Sequence, residues 1–573
     1  MTQFATDART PPSQNWILHA VMTLAMVGSF SPAMAYTFST SPDWDVELDT
    51  NLSYSLGIRT QGINPLIGNN PIQQNDEYKF PKAGDVNSNR IDIASELVAA
   101  YQNNYGIDVS VDGWKDFAYD GGVATHPGQY GPGVPYSALS SSPDGRYGAY
   151  TYNNYDFGGE LENAFAFGNF QFGDIPVTVK IGRFTEYWGN ALFSGYQAIS
   201  YGQSPIDVIK AVDAPGTEVK DLFLPRGQVS IHVQPTPSLT FGFQYAFEFR
   251  YNQFPEGGTF LGIADPFVIG PTTIEGQIPR GSDDEPPNVD GNFGLEMLWE
   301  PDALNGTVGL YFRQFDDTTP YALYQLDAAG GSPTYHLSYA RHIQLFGVSL
   351  DHEIGPVGAS FEASIRKNTG LNGVPGGDPG KDPGGTDGPR GTTFNFVANG
   401  IYALTPNKLW QTGSLVGEIA WTHLMAVTHD ASAYNAIGYA CAAGGLNAGS
   451  GERDGCSTTD EVNVNVVLDP QWLQVLPGVD FDAPMSVGAG LHGNGQTAAL
   501  AGTGDNAATI AYSIGVHALI RQKYNIKLSY TGYSSPTNGI IYTPLGKPYY
   551  AGGSGEYMWN DKESIDLVLS TAF

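Results

Sequence analysis

The chain predicts an all-β fold: a transmembrane antiparallel β-barrel of about 18 strands, with 16 as the alternative, carrying long extracellular loops and a segment folded into the lumen. Three observations predict it. The chain ends on a strand, residues 564–573, in which Ile565, Leu567, Leu569 and Phe573 share one parity. A single alternating stretch, residues 43–59, sets Trp44, Val46, Leu48, Leu52, Tyr54, Leu56 and Ile58 against Asp45, Glu47, Asp49, Asn51, Ser53, Ser55 and Arg59. Soluble strands average about 5–6 residues, so alternation this long suits a tilted strand that crosses a membrane. Finally, similar segments recur with short and long connections in strict alternation.

The two ends agree with this. Residues 17–30 form an apolar run of signal-peptide length, and Ala33-Met34-Ala35 is an A-x-A cleavage site before Tyr36. Residues 1–35 are therefore expected to be a signal peptide, and 36–573 the barrel. The charged region before the apolar run is weak, since Arg9 is offset by Asp7. At the other end, a strand stopping on Phe573 looks like the insertion signal of bacterial outer-membrane barrels, which is read by the assembly machinery. The last strand must pair with the first before the barrel can shut.

Composition fits the same class. Gly (72), Tyr (33) and Phe (29) are abundant, as tight turns and aromatic girdles require. Only 41% of residues are hydrophobic, because a barrel turns every second residue toward a polar lumen. The net charge of −31 argues against nucleic acid as a partner. It suits loops above a lipopolysaccharide layer, and equally the plain solubility of polar loops.

Taken in order, the predicted strands after the first are 91–101 with 107–117, 161–172 with 177–185, 228–234 with 239–251, and 292–299 with 308–315. They continue as 342–352 with 357–367, 394–404 with 415–425, 462–475 with 485–492, and 511–520 with 526–533. The members of each pair are joined by a short turn, such as Asn103-Asn104, Gly173-Asp174 or Pro477-Gly478. Long connections rich in Gly, Pro, Asn, Asp and Ser separate the pairs, as water-exposed loops should. With both termini periplasmic, every long connection falls outside the cell.

Two loops carry further expectations. Residues 376–388 are almost wholly Gly, Pro and Asp; they bury no core, and their aspartates match no EF-hand spacing, although Ca²⁺ in the acidic loops stays open as the one cofactor considered. Cys441 and Cys456 are expected to form a disulfide in an oxidising compartment, with free thiols as the alternative; their spacing excludes a CxxC site.

The most specific text lies in the middle third. It runs Gly182-Arg183-Phe184, Tyr187-Trp188-Gly189-Asn190, Ser204-Pro205-Ile206-Asp207 and Ala214-Pro215-Gly216-Thr217-Glu218-Val219-Lys220. This order resembles an uncharacterised family of large proteobacterial outer-membrane proteins, in which G-R-x-x-x-x-W-G precedes an N-P-x-D-like element and P-G-x-E-x-K. Ser204 stands where that family usually has Asn. The resemblance covers nearly the whole mature chain. It implies a transmembrane barrel, and offers uptake or export of hydrophobic or aromatic compounds as a lead.

The alternation also assigns a lumen face. Its acids are Asp45, Glu47, Asp49, Asp92, Glu96, Asp108, Asp112, Glu162, Glu248, Glu296, Glu362 and Glu418; its bases are Lys180, Arg250, Arg313 and Arg366. Charges on an inner wall orient polar solutes, and rings of acid bias a pore toward cations; a purely structural network is the other reading. The connection 186–226 is the candidate constriction, because its apolar piece, residues 206–213, is out of place in a fully exposed loop. Trp188, Tyr196, Tyr201, Asp207, Ile209 and Lys210 would then narrow the channel. The alternative is a loop packed over the barrel mouth. Phe241, Phe243, Tyr245, Phe247 and Phe249 are read as lipid-facing.

Catalysis is not expected: His232, His423 and His517 sit singly in strands, G-x-S-x-G is absent, and no His/Cys metal spacing occurs. The expected function is a monomeric outer-membrane channel through which small, hydrophobic or aromatic molecules diffuse. The alternatives are an export component working with a periplasmic partner and an inner-membrane pump, and a surface barrel whose loops bind a partner or act enzymatically. Expected partners are outer-membrane lipid, lipopolysaccharide, the barrel-assembly machinery and a small-molecule solute.

Overall fold

The computed structural model describes residues 36–37, 43–213, 216–265, 269–281, 291–327, 334–374, 388–443, 451–497 and 504–573. The signal-peptide expectation, and nearly all of the Gly/Asp-rich stretch 376–388, lie outside these residues.

Eighteen antiparallel strands close into one barrel. We number them β1 (Trp44–Arg59), β2 (Val86–Tyr101), β3 (Tyr105–Asp116), β4 (Phe157–Phe172), β5 (Ile175–Phe184) and β6 (Arg226–Thr236). Next come β7 (Leu239–Ala246), β8 (Phe293–Trp299), β9 (Gly306–Phe315), β10 (Ile343–Ile354), β11 (Val357–Gly370) and β12 (Arg390–Ala403). The last are β13 (Thr412–His429), β14 (Asp460–Leu476), β15 (Val479–Asp482 continued by Met485–His492), β16 (Ile510–Ile520), β17 (Tyr524–Ser534) and β18 (Ser564–Ala572). Each strand pairs with its neighbours in sequence, and β18 pairs with β1 from Asn51↔Ala572 to Arg59↔Ser564. Phe573 completes the seam, its N–H and C=O both bonded to Thr50 at 2.9 Å. Tyr36 and Thr37 take over that edge of β1 where β18 ends, opposite Leu48 and Glu47.

The strands follow the sequence alternation closely. The main departure is β7, which stops at Ala246 and so leaves Phe247 to Tyr251 in the following connection. The short turns need little chain. At β2–β3, Gln102 and Asn103 both take left-handed φ (+50° and +54°), as the tightest hairpin turn demands. In β15 the strand breaks at Ala483-Pro484, since proline brings no N–H to the ladder.

Burial is inverted relative to a soluble protein. Ile93 (50% exposed), Ile181 (54%), Leu295 (49%), Phe346 (47%), Ile514 (52%) and Leu528 (50%) stand on the outside, distributed around the wall. The inner face instead buries Gln228, Ser230, Gln244, Arg313, Glu362, Arg366, Asn395 and Glu418. In water the outer belt would aggregate; against lipid it is solvated, and closing the strand ladder removes the open edges that hydrocarbon could not satisfy. The barrel is therefore membrane-spanning. No helix among the described residues is long and apolar enough to cross a membrane, so the strands do the crossing.

At the long-loop end, the connections pack over the mouth. Ile67, Phe80, Tyr119, Val208, Phe254, Phe260, Leu261, Trp559 and neighbours from five connections form one apolar cluster with Tyr533 of β17. Arg59 donates to the carbonyls of Phe80 and Asp561 at 2.7 Å each, and Lys562 meets Glu77 at 3.4 Å. Cys441 and Cys456 form a disulfide in a separate loop, with Cα atoms 5.9 Å apart.

Candidate functional site

The connection between β5 and β6 turns inward, and the wall opposite it supplies the reason. Glu362 on β11 accepts hydrogen bonds from the N–H groups of Asn190, Ala191 (2.8 Å) and Ile199 (2.9 Å). Glu418 on β13 accepts from Leu192, Phe193 (2.8 Å) and Ser194 (2.6 Å). Two carboxylates thus satisfy six backbone donors of a segment that has no strand or long helix of its own. The carbonyls are met by cations: Arg313 donates to Ile199 and Tyr201 at 2.7 Å each, and Arg366 donates to Tyr196. Asn399 adds a bond to the Asn190 carbonyl at 2.6 Å.

The sequence motifs of this region are what the anchoring needs. Gly189 has φ +93°, and a Cβ there would collide with the Glu362 carboxylate, so glycine lets the carboxylate reach the chain. Gln203 caps the Trp188 N–H at 2.8 Å. The Leu224 N–H bonds to the Pro205 carbonyl and the Asp207 N–H to the Leu222 carbonyl, closing the segment on itself. Glu218 and Lys220 pair at 3.2 Å.

Several predicted residues have a different surrounding from the one expected. Trp188 and Tyr201 (3% exposed each) pack against Tyr311, Phe315, Ile343 and Leu345, between the segment and the wall, and face no open space. The Tyr201 hydroxyl is held by Asp317 at 2.8 Å. Arg313, Glu362, Arg366 and Glu418 are lumen-facing, as the parity requires, but they are buried anchors and not pore lining. Glu296 bonds His232 at 3.1 Å under Glu186. Glu248 and Arg250 lie beyond β7. Arg250 donates to Pro225 and to Glu160, and Arg183 pairs with Glu160 at 3.0 Å. Lys180 stands over the rings of Phe165 and Phe184. Ile209 packs beneath the loop cluster, Asp207 accepts from the Lys210 N–H at 2.9 Å, and the Lys210 ammonium bonds the Asp221 carbonyl. Asp45 and Glu47 are exposed near the short-turn rim.

What the segment leaves open is a cavity of about 910 Å³ on the opposite side of the barrel, in the short-turn half. Asp49, Glu96, Asp112 and Glu162 border it from β1–β4, and Asp469 and Asp482 from β14 and β15. The inward segment roofs it with Asp213, Glu218, Lys220 and Asp221; Lys527 and His517 contribute from β17 and β16. His517 is fixed between Asp482 (2.7 Å) and Asn525 (3.1 Å). Above this roof a narrower cavity of about 140 Å³ separates the segment from the β14–β17 wall. Val208, Val212, Leu222, Tyr533 and Trp559 line it, with Tyr196 and Asp505 at its border.

The acids and bases of β14–β17 escaped the sequence reading, although their signal was present: Asp469 shares a parity with Asn463 and Asn465, and Lys527 with Ser529 and Thr531. Among the described residues, no group of three or more His, Cys, Asp or Glu side chains is arranged to hold a metal ion.

Fold and site together define a membrane-spanning β-barrel whose lumen is narrowed by its own inward-folded segment. A family model described as a protein of unknown function (DUF1302) matches residues 16–573, and the chain belongs to that family. No curated protein matches it. Among solved structures it is similar to Pseudomonas aeruginosa OpdK crystallised with vanillate, at 10% identity and a TM-score of 0.40, covering 92% of this chain and 98% of that one. It is also similar to P. aeruginosa OccD3 (OpdP), at 10% identity and a TM-score of 0.40, covering 96% and 94%, and to Acinetobacter baumannii OccAB4, at 7% identity and a TM-score of 0.39, covering 92% and 98%.

Proposed function

We propose that the protein is an outer-membrane channel for the diffusion of small molecules. The observation that carries this is the division of the lumen. One half is filled by the anchored segment, while the other keeps a polar cavity of about 910 Å³, the size of a small-molecule site. Alternating short and long connections, with both ends of the barrel seam on the short-turn side, are the arrangement of outer-membrane barrels. A solute moving inward from the loop side meets the narrow apolar slot beside Tyr533 and Trp559 before the wider polar cavity. That slot, and not the predicted Trp188 and Tyr201, is what supports passage of molecules bearing an apolar or aromatic group.

The test is planar-bilayer conductance of purified protein, with and without residues 206–213. Discrete channels in the full chain, enlarged by the deletion, are expected. A bilayer that stays sealed with both proteins, each folded by heat-modifiable mobility, would refute the channel.

A second reading, an export component docked to a periplasmic carrier, draws on one feature. Leu409 (68% exposed), Leu473 (50%), Val475 (52%) and Leu476 (60%) form an apolar ledge where β14 overhangs β13 on the short-turn side. Co-purification of a periplasmic protein that is lost on Leu473→Asp with Leu476→Asp would favour this reading.

A further inference from the structure

We infer that the lumen selects for cations, so that the solutes of the channel proposed above are small organic cations and not carboxylates; the inference rests on that channel reading. It begins with which charges reach the open cavity. Of the bases near the inner wall, Lys180, Arg250, Arg313 and Arg366 do not border the cavity. Arg313 and Arg366 are consumed by carbonyls of the inward segment, and Arg250 by Pro225 and Glu160. Lys180 stands over two aromatic rings. Folding the segment inward therefore hides positive charge behind it.

The cavity itself is bordered by nine carboxylates against two lysines and one histidine. Lys220 is already paired with Glu218, which leaves Lys527 as the one lysine to balance the rest of this lining. A separate observation concerns individual atoms. Asp469, 6% exposed and bordering the cavity, has an Oδ1 with no hydrogen-bond partner among the described residues, and so do Asp49 and Asp112. Each is buried in the wall, so an entering ammonium or guanidinium would meet it through a turn of the carboxylate. Enclosure sharpens the effect. Low-dielectric walls focus the field of one-signed charges to several kT, and acids within a cavity of this width act inside one Debye length.

The experiment is the reversal potential of the full chain in a planar bilayer under a KCl gradient, followed by liposome swelling with arginine hydrochloride and with sodium glutamate. A K⁺ to Cl⁻ permeability ratio on the order of tenfold is expected, with faster swelling in arginine. Asp49→Asn with Asp112→Asn and Asp469→Asn should bring the ratio toward unity, and Lys527→Gln should raise it. Conducting channels that are unselective, or that prefer Cl⁻ or glutamate, would overturn the inference while leaving the channel standing. Folded protein with no conductance would remove the channel, and the inference with it. Selectivity unmoved in folded charge variants would count against the acidic wall as its source.

Discussion

Replacing Glu362 by alanine should release the inward segment and enlarge the pore. Glu362 is 3% exposed and accepts three backbone N–H bonds, from Asn190, Ala191 and Ile199. Hydrogen bonds to a charged acceptor contribute about 1.5–3 kcal/mol each, so three at the lower figure amount to about 4.5 kcal/mol. That figure is already net of hydrogen bonding to water, so it corresponds to a shift on the order of a thousandfold toward the detached segment. Glu418, with its own three donors, keeps the segment from leaving altogether. Single-channel recording should therefore show frequent transitions to larger conductance levels, with barrel assembly intact. Glu362→Gln, which keeps an acceptor oxygen and loses the charge, should fall between wild type and alanine. Gly189→Ala attacks the same contact from the other side, through a clash with the carboxylate and a φ of +93°, and should give the same phenotype. A folded Glu362→Ala barrel whose current levels and noise equal those of the wild type would refute this account of the anchoring.

Deleting Phe573 removes both of its hydrogen bonds to Thr50 and an exposed lipid-side ring; heat-modifiable barrel in the outer membrane should fall while export to the periplasm continues. Cys441→Ser opens a loop closed at a sequence separation of 15, which costs about 3 kcal/mol locally; protease nicking of that loop should rise with barrel mobility on gels unchanged. The loop cluster should loosen as pH rises. Burial pushes Glu77 up to about 7 from its ordinary 4.5, in spite of Lys562 beside it. The folded loops thus hold a proton that the unfolded loops release, so this stabilising contribution is full below about 4.5 and lost as pH climbs toward 7. Amide exchange of residues 60–85, corrected for intrinsic rates, should be faster at pH 8 than at pH 5, and Glu77→Gln should reduce the difference, the remainder coming from Asp76, which burial pushes up to about 6.

Much of this was legible in one dimension, for a physical reason. A membrane strand is specified by which parity is apolar, and that is a local property of ten or so residues. The 18 strands, the seam at Phe573 and the alternating connections therefore followed from the chain alone. Residues 206–213 stood out as too apolar for an exposed loop, and in the structure they pack with the loop cluster over the mouth. Parity likewise told which charges point inward. It could not tell which of them would meet open space, because that depends on where the segment lies against the wall. Ile199 finds Glu362 across 163 residues of sequence and Leu192 finds Glu418 across 226. Those long-range bonds turn Glu362, Glu418, Arg313 and Arg366 into anchors. They leave the carboxylates of β1–β4 and β14–β15 facing the cavity, and so which charges border it was decided by the tertiary structure.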